Sequence, residues 1–326
     1  MACVYVDATQ LPSGDNCDLG SPGIELPSPE QVLSRATREG IDTTRTFRPD
    51  PVRFQELGII VKWGEDVTVA EGQCVWFLRK HFKGQVPVPA IHGWRQHNGV
   101  TFLYLQLVSG TPMATLWGDL AEHERSSVCN QLRGMIQTWR RLKPAPKDPG
   151  YFWRLVSTVL GLCGIESGAL PNPEHQLSAI TGGALRDVVF YDAGAYPAGP
   201  FQTVREFHDA LAGLIARGST DTNLLDRRKR CPELEGLADD TPITFTHADL
   251  DLSNILLSDP QDGPVRIVAI IDWHQAGWYP EPWERLKAHS VAGHGSEWAT
   301  KYLDTVLDPA PYEYFYAFEY ISMSTI

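Results

Sequence analysis

The stretch Phe245-Thr246-His247-Ala248-Asp249-Leu250-Asp251-Leu252-Ser253-Asn254-Ile255-Leu256 decides the reading of this chain. It contains His-x-Asp, with Asn254 five residues after Asp249 and Asp272 a further eighteen residues on. Asp272 closes the apolar run Ile267-Val268-Ala269-Ile270-Ile271, a pattern that predicts a buried strand. A short hairpin therefore holds hard oxygen donors at fixed separation. Such a set suits phosphoryl transfer. One carboxylate meets the acceptor hydroxyl, while an amide oxygen and a second carboxylate hold Mg²⁺ against a triphosphate. An isolated His-x-Asp reads as a solvated loop, but the full set before a strand-end Asp favours the chemical reading.

Working outward, Ile59-Ile60-Val61-Lys62 predicts a strand ending in a lysine. Thr68 to Phe82 predicts a helix, with Ala70, Cys74, Phe77, Leu78 and His81 at three- and four-residue steps and Glu71 near its start. Gly72 weakens that start, and Glu65 and Asp66 compete with Glu71 as partners for Lys62. Thr101 to Val108 reads as a strand, and Ser109-Gly110-Thr111-Pro112 as a hinge. Beyond it the pattern turns helical, with an apolar stripe at Val128, Leu132, Ile136 and Trp139 and a second helix over Val204 to Ile215. Ser28 and Pro29 mark the start of a short helix. Residues 1–28 read as a flexible tail, because they are rich in Gly, Pro, Ser and Asp without apolar periodicity. The order of elements implies an α+β chain of two lobes.

Composition bounds the partners. The 326 residues carry 28 Lys plus Arg against 40 Asp plus Glu, a net charge of −12. That field argues against general nucleic-acid binding, yet a local cation admits one bound nucleotide. No apolar run reaches the roughly 18 residues of a membrane helix, and the start lacks a signal-peptide pattern. Six widely spread cysteines form no C-x-x-C pair, so reduced thiols and a cytoplasmic location are expected. The oligomeric state is not encoded in any pattern here.

The His247–Asp272 block resembles the aminoglycoside phosphotransferase and choline kinase-like family, whose signature is H-G-D-x-x-x-x-N followed by I-D-W or I-D-F. Protein kinases instead carry H-R-D and D-F-G. Ile271-Asp272-Trp273 through Trp283-Glu284 looks like the variant common among filamentous-fungal members. The resemblance implies a two-lobed protein-kinase-like α+β fold. It has a small antiparallel-sheet lobe over 29–108, a hinge at about 105–110, and a larger, mainly helical lobe over 111–326. It implies that Asp249 is the catalytic carboxylate, that Asn254 and Asp272 bind Mg²⁺, and that His247 positions the loop. Lys62, held by Glu71, contacts the phosphates of ATP, and the Gln106 carbonyl and Val108 N–H meet adenine. The implied activity is ATP- and Mg²⁺-dependent O-phosphorylation of a small metabolite or antibiotic-like acceptor.

The sequence departs from the family pattern in three places. No G-x-G-x-x-G precedes Lys62, Ala248 stands where glycine is usual, and His274 follows where many relatives carry Glu. A pseudokinase, or an enzyme reusing the cleft for other chemistry, are the alternatives these departures raise. Asp251 faces the acceptor or solvent. Trp273, Trp278 and Trp283 line the cleft or pack the lobe. Residues 144–240 and those after 285 are expected to form the acceptor pocket. Acids there (Glu233, Glu235, Asp239, Asp240), with Glu281 and Glu284, hint at a cationic acceptor or form a solvated face.

Overall fold

The N-terminal residues are the first place where the chain departs from its sequence pattern. The computed structural model describes residues 2–20, 25–145, 176–191, 198–215, 234, 236–293 and 295–325. Within 1–28, β1 (Val4–Val6) runs parallel to Leu142–Pro144 of the larger lobe, and β2 (Asn16–Asp18) is hydrogen-bonded into the smaller lobe's sheet. The expected tail is thus a strap across both lobes. Its apolar residues are too few to show periodicity, and backbone pairing with existing strands organises it instead.

The helix α1 (Pro29–Arg38) begins where Ser28 and Pro29 predict. Ser28 and Gln31 cap each other reciprocally, with Ser28 N–H donating to Gln31 Oε1 at 2.7 Å. Next come β3 (Val52–Phe54), β4 (Ile59–Gly64), α2 (Val69–Phe82), β5 (Ile91–His97) and β6 (Val100–Gln106). The five antiparallel strands lie in the order β2-β5-β6-β4-β3. Strand alternation divides β4 between two faces. Ile59, Val61 and Trp63 bury against Val32 and Ala36 of α1, together with Val52 and Phe54. Ile60 and Lys62 point the other way, toward α2 and the interlobe cleft.

After the hinge come β7 (Thr111–Pro112), α3 (Met113–Leu116), α4 (Glu122–Trp139), β8 (Leu142–Pro144), α5 (Val188–Tyr191) and α6 (Val204–Ile215). The chain continues with β9 (Ile243–Thr246), β10 (Ile255–Leu257), β11 (Ile267–Ile270), β12 (Gly277–Pro280), α7 (Trp283–Val291), α8 (Leu303–Val306) and α9 (Tyr312–Thr325). Val128, Cys129, Leu132, Ile136 and Trp139 bury one stripe of α4 in the main core. Each large apolar side chain buried there contributes about 1.5–3 kcal/mol. The α+β, two-lobed architecture expected from the order of elements is the one the chain adopts. Among the described residues no helix is long and apolar enough to cross a membrane.

Two small sheets set up the site. β10 pairs with β11 and, on its other side, with the hinge strand β7. β9 pairs with β12. The three tryptophans pack rather than line a cleft. Trp273 meets Trp139 edge-on at 5.2 Å, Trp278 meets Phe245 at 5.3 Å, and Trp283 meets Phe207 at 5.0 Å. All three are almost fully buried, and their indoles anchor the segment between Asp272 and α7.

Candidate active site

The antiparallel register Ile255↔Ile270 brings Asn254 and Ile271-Asp272 out of the β10–β11 hairpin side by side. The Ile271 N–H donates to the Asn254 carbonyl at 2.9 Å. Asp249 lies on the loop that leads into this hairpin. Asn254 Nδ2 donates to the Asp249 carbonyl at 2.9 Å and to its Oδ2 at 3.3 Å. The hairpin thus converts a separation of more than twenty residues into direct adjacency.

His247 ties the two acidic residues together. The Asp249 N–H donates to His247 Nδ1 at 3.2 Å, so the ring's proton sits on Nε2 and donates to the Ile271 carbonyl at 3.0 Å. Burial pushes the His247 pKa down, which keeps the ring neutral and preserves that tautomer. The positioning role implied for His247 has this geometric basis. Asp251 is occupied locally, accepting the Ser253 N–H at 2.8 Å as the cap of a short turn.

Glu284 is the residue whose place the sequence did not reveal. It is fully buried and accepts the backbone N–H groups of His247 at 2.7 Å and Ala248 at 2.9 Å. Burial raises its carboxyl to about 7, with the two backbone donors and Arg140 opposing the rise. An acid in the first turn of a helix usually faces water, so nothing in the sequence marks Glu284 as interior. Its grip explains Ala248, whose φ of +62° lies in the left-handed region that favours glycine. These two hydrogen bonds hold the loop in that conformation. Asp272 likewise has φ +63°.

Lys62 faces this loop from the other lobe. Its Nζ donates to Glu71 Oε1 at 2.9 Å and to Asp272 Oδ1 at 2.6 Å. Burial alone lowers the Lys62 pKa, but Glu71 and Asp272 outweigh it and hold the ammonium above its usual range. Burial alone raises Asp272, but the His274 hydrogen bond and Lys62 outweigh it and hold that carboxyl well below the usual range. Glu65 and Asp66, the competing partners, bond elsewhere, Glu65 to Thr46 and Asp66 to Arg48. Gly72 lets α2 approach the sheet so closely. A Cβ there meets Ile91 Cδ1 at 2.9 Å and Leu103 Cδ2 at 3.2 Å. The glycine that weakens the helix start is what brings Glu71 to Lys62.

The cleft between the lobes has a volume of about 1060 Å³. Lys62, Glu71, Gln106, Val108, Asp249 and Asp272 all line it. Gln106 also pairs through its side chain and its own N–H with Ala90, which fixes the strand end before the hinge. Asn254 sits one bond behind the lining, against Asp249.

Donor atoms of Asp249, Asp272 and His274 lie within 4.8 Å of one another. His274 Nδ1 and Lys62 both contact Asp272 Oδ1. Two carboxylates with an amide behind them fit a hard divalent ion. His274, unlike Glu, adds no negative charge.

The acids that hinted at a cationic acceptor are mostly engaged elsewhere. Glu281 pairs with Arg140 at 3.3 Å, Asp239 with His208 at 3.0 Å, and Glu284 grips the loop. Glu233, Glu235 and most of 144–240 lie outside the described residues.

A clamped cation on one wall of an interlobe cleft and paired carboxylates on the other make a site able to hold a polyphosphate with a divalent ion. The sequence model of the phosphotransferase enzyme family matches residues 70–284, and the chain belongs to that family. Solved structures similar to it include an aminoglycoside-3'-phosphotransferase of type VIII, at 17% identity and TM-score 0.49, covering 91% of this chain and 98% of that one. Another is a thermostable mutant of an aminoglycoside phosphotransferase in its apo form, at 16% identity and TM-score 0.46, covering 84% and 81%. A third is an aminoglycoside phosphotransferase from Streptomyces rimosus in complex with ADP and streptomycin, at 15% identity and TM-score 0.45, covering 92% and 100%. No curated protein matches the chain.

Proposed function

We propose that this phosphotransferase moves the γ-phosphoryl group of ATP, with Mg²⁺, onto a hydroxyl of a small-molecule acceptor. The observation that carries the reading is the convergence of Lys62–Glu71 from one lobe with Asp249 and Asp272 from the other on a single cleft, with Asn254 held against Asp249. Lys62 holds phosphate oxygens, and Glu71 keeps its ammonium in place. Asp249 accepts or orients the hydroxyl proton for in-line attack. Asn254 and Asp272 hold the metal, which supplies charge neutralisation for the triphosphate. Adenine meets the hinge at the Gln106 carbonyl and Val108 N–H. The smaller lobe ends near Val108 and the larger begins at Thr111. The cytoplasm, where ATP is supplied, is the proposed location.

Calorimetric titration with ATP, with and without Mg²⁺, tests the reading. The wild type should bind ATP more tightly with Mg²⁺, and Asp272→Ala should lose the metal's contribution. Equal metal dependence in both proteins counts against Asp272 as a ligand. Absence of ATP binding by the wild type overturns the proposal.

A further inference from the structure

The reading above, on which this inference rests, leaves the triphosphate under-compensated on the smaller lobe. Lys62 already answers two carboxylates. The segment before it has no glycine-rich loop whose backbone N–H groups cradle phosphates. What that segment does contribute to the cleft wall is Arg48, Pro49, Pro51, Arg53 and Gln55.

The two arginines differ. Arg48 is tethered, with its Nε on Asp66 Oδ2 at 2.6 Å and its guanidinium over the Phe47 ring at 5.2 Å. Arg53 is free. It is exposed, lines the cleft, and forms no hydrogen bond or ion pair with the described residues.

Register fixes where Arg53 points. β3 pairs with β4 so that Arg53 is opposite Ile60, and Ile60 is opposite Leu105. Its neighbours Val52 and Phe54 are buried on the α1 face, so Arg53 shares the other face with Ile60 and Lys62. Lys62 lies two residues along β4 from Ile60, about 7 Å at strand spacing. A guanidinium on its long stem spans that distance and presents a planar fork of donors to phosphate oxygens.

We propose that Arg53 is a second phosphate-gripping residue of the smaller lobe beside Lys62, standing in for the absent glycine-rich loop. A guanidinium beside Ile60 and the prolines also fits stacking on adenine, and the choice of probes separates the two roles.

The test is calorimetry of the full chain with Mg²⁺, using ATP, adenosine and inorganic tripolyphosphate as probes. Arg53→Ala should weaken ATP and tripolyphosphate about tenfold or more and leave adenosine unchanged. Arg53→Lys should restore ATP affinity only in part, because an ammonium lacks the fork. Arg53 is exposed on an edge strand, so both variants should melt as the wild type does. Arg53→Ala that binds ATP like the wild type overturns the inference, as does equal loss of ATP and adenosine. If the wild type binds ATP and Arg53→Ala is unaffected, this inference alone fails. If the wild type binds no ATP, the functional reading fails with it.

Discussion

Asp249 and Glu284 are two carboxylates in opposite surroundings. Asp249 lines the cleft with one oxygen in contact with Asn254, free to meet a substrate proton. Asp249→Asn should lower the transfer rate by at least about 10²-fold while leaving the melting temperature unchanged. A near-normal rate removes Asp249 from the chemistry. Glu284 is sealed inside, and its carboxyl is raised from 4.5 to about 7. The folded state therefore binds this proton more tightly than the unfolded state does. Stability from this group is greatest below about 4.5 and falls as pH rises to about 7, by roughly 3 kcal/mol at 1.36 kcal/mol per pH unit. Urea unfolding across that range should show the decline, and Glu284→Gln should flatten it. An unchanged slope in the variant contradicts the assignment. The convergence of Asp249, Asn254 and Asp272 is legible in sequence because their spacing reflects one hairpin. Glu284 is not, since its role depends on a loop thirty-odd residues away and a helix start that ordinarily faces water.

At the scale of elements, α2 is the sensitive part. Helical spacing from Ala70 to His81 predicts it well, and Thr68 caps it. The sequence does not show that Gly72 is the contact point with β5 and β6. A branched side chain there has no space, so Gly72→Val should separate Glu71 from Lys62 and cost about 1–3 kcal/mol through overpacking. Denaturation gives the stability change, and ATP titration should show weakened binding. Wild-type values for both contradict the close-approach argument. The N-terminal strands were illegible for a different reason. β1 and β2 are three residues each and gain their order from partners at Leu142–Pro144 and Gly93–Arg95. Such pairing leaves no local periodicity to read.

For the whole molecule, the net charge of −12 and the acidic floor of the cleft set the terms for a ligand. The Lys62–Asp272 contact is an ion pair between the lobes, and a nucleotide held by both should stiffen their junction. ATP with Mg²⁺ at a hundred times its dissociation constant should stabilise the protein by about 2.7 kcal/mol, read as a rise in melting temperature that ATP alone does not produce in full. The central claim, phosphoryl transfer from ATP through Asp249, has a direct measurement. Wild type and Asp249→Asn are each incubated with ATP, Mg²⁺ and a metabolite extract, and the products are compared by mass spectrometry. The account predicts an extract component that gains one phosphoryl group with the wild type and not with the variant. A wild type that phosphorylates nothing while binding ATP, or a variant that forms the same product at the same rate, contradicts it.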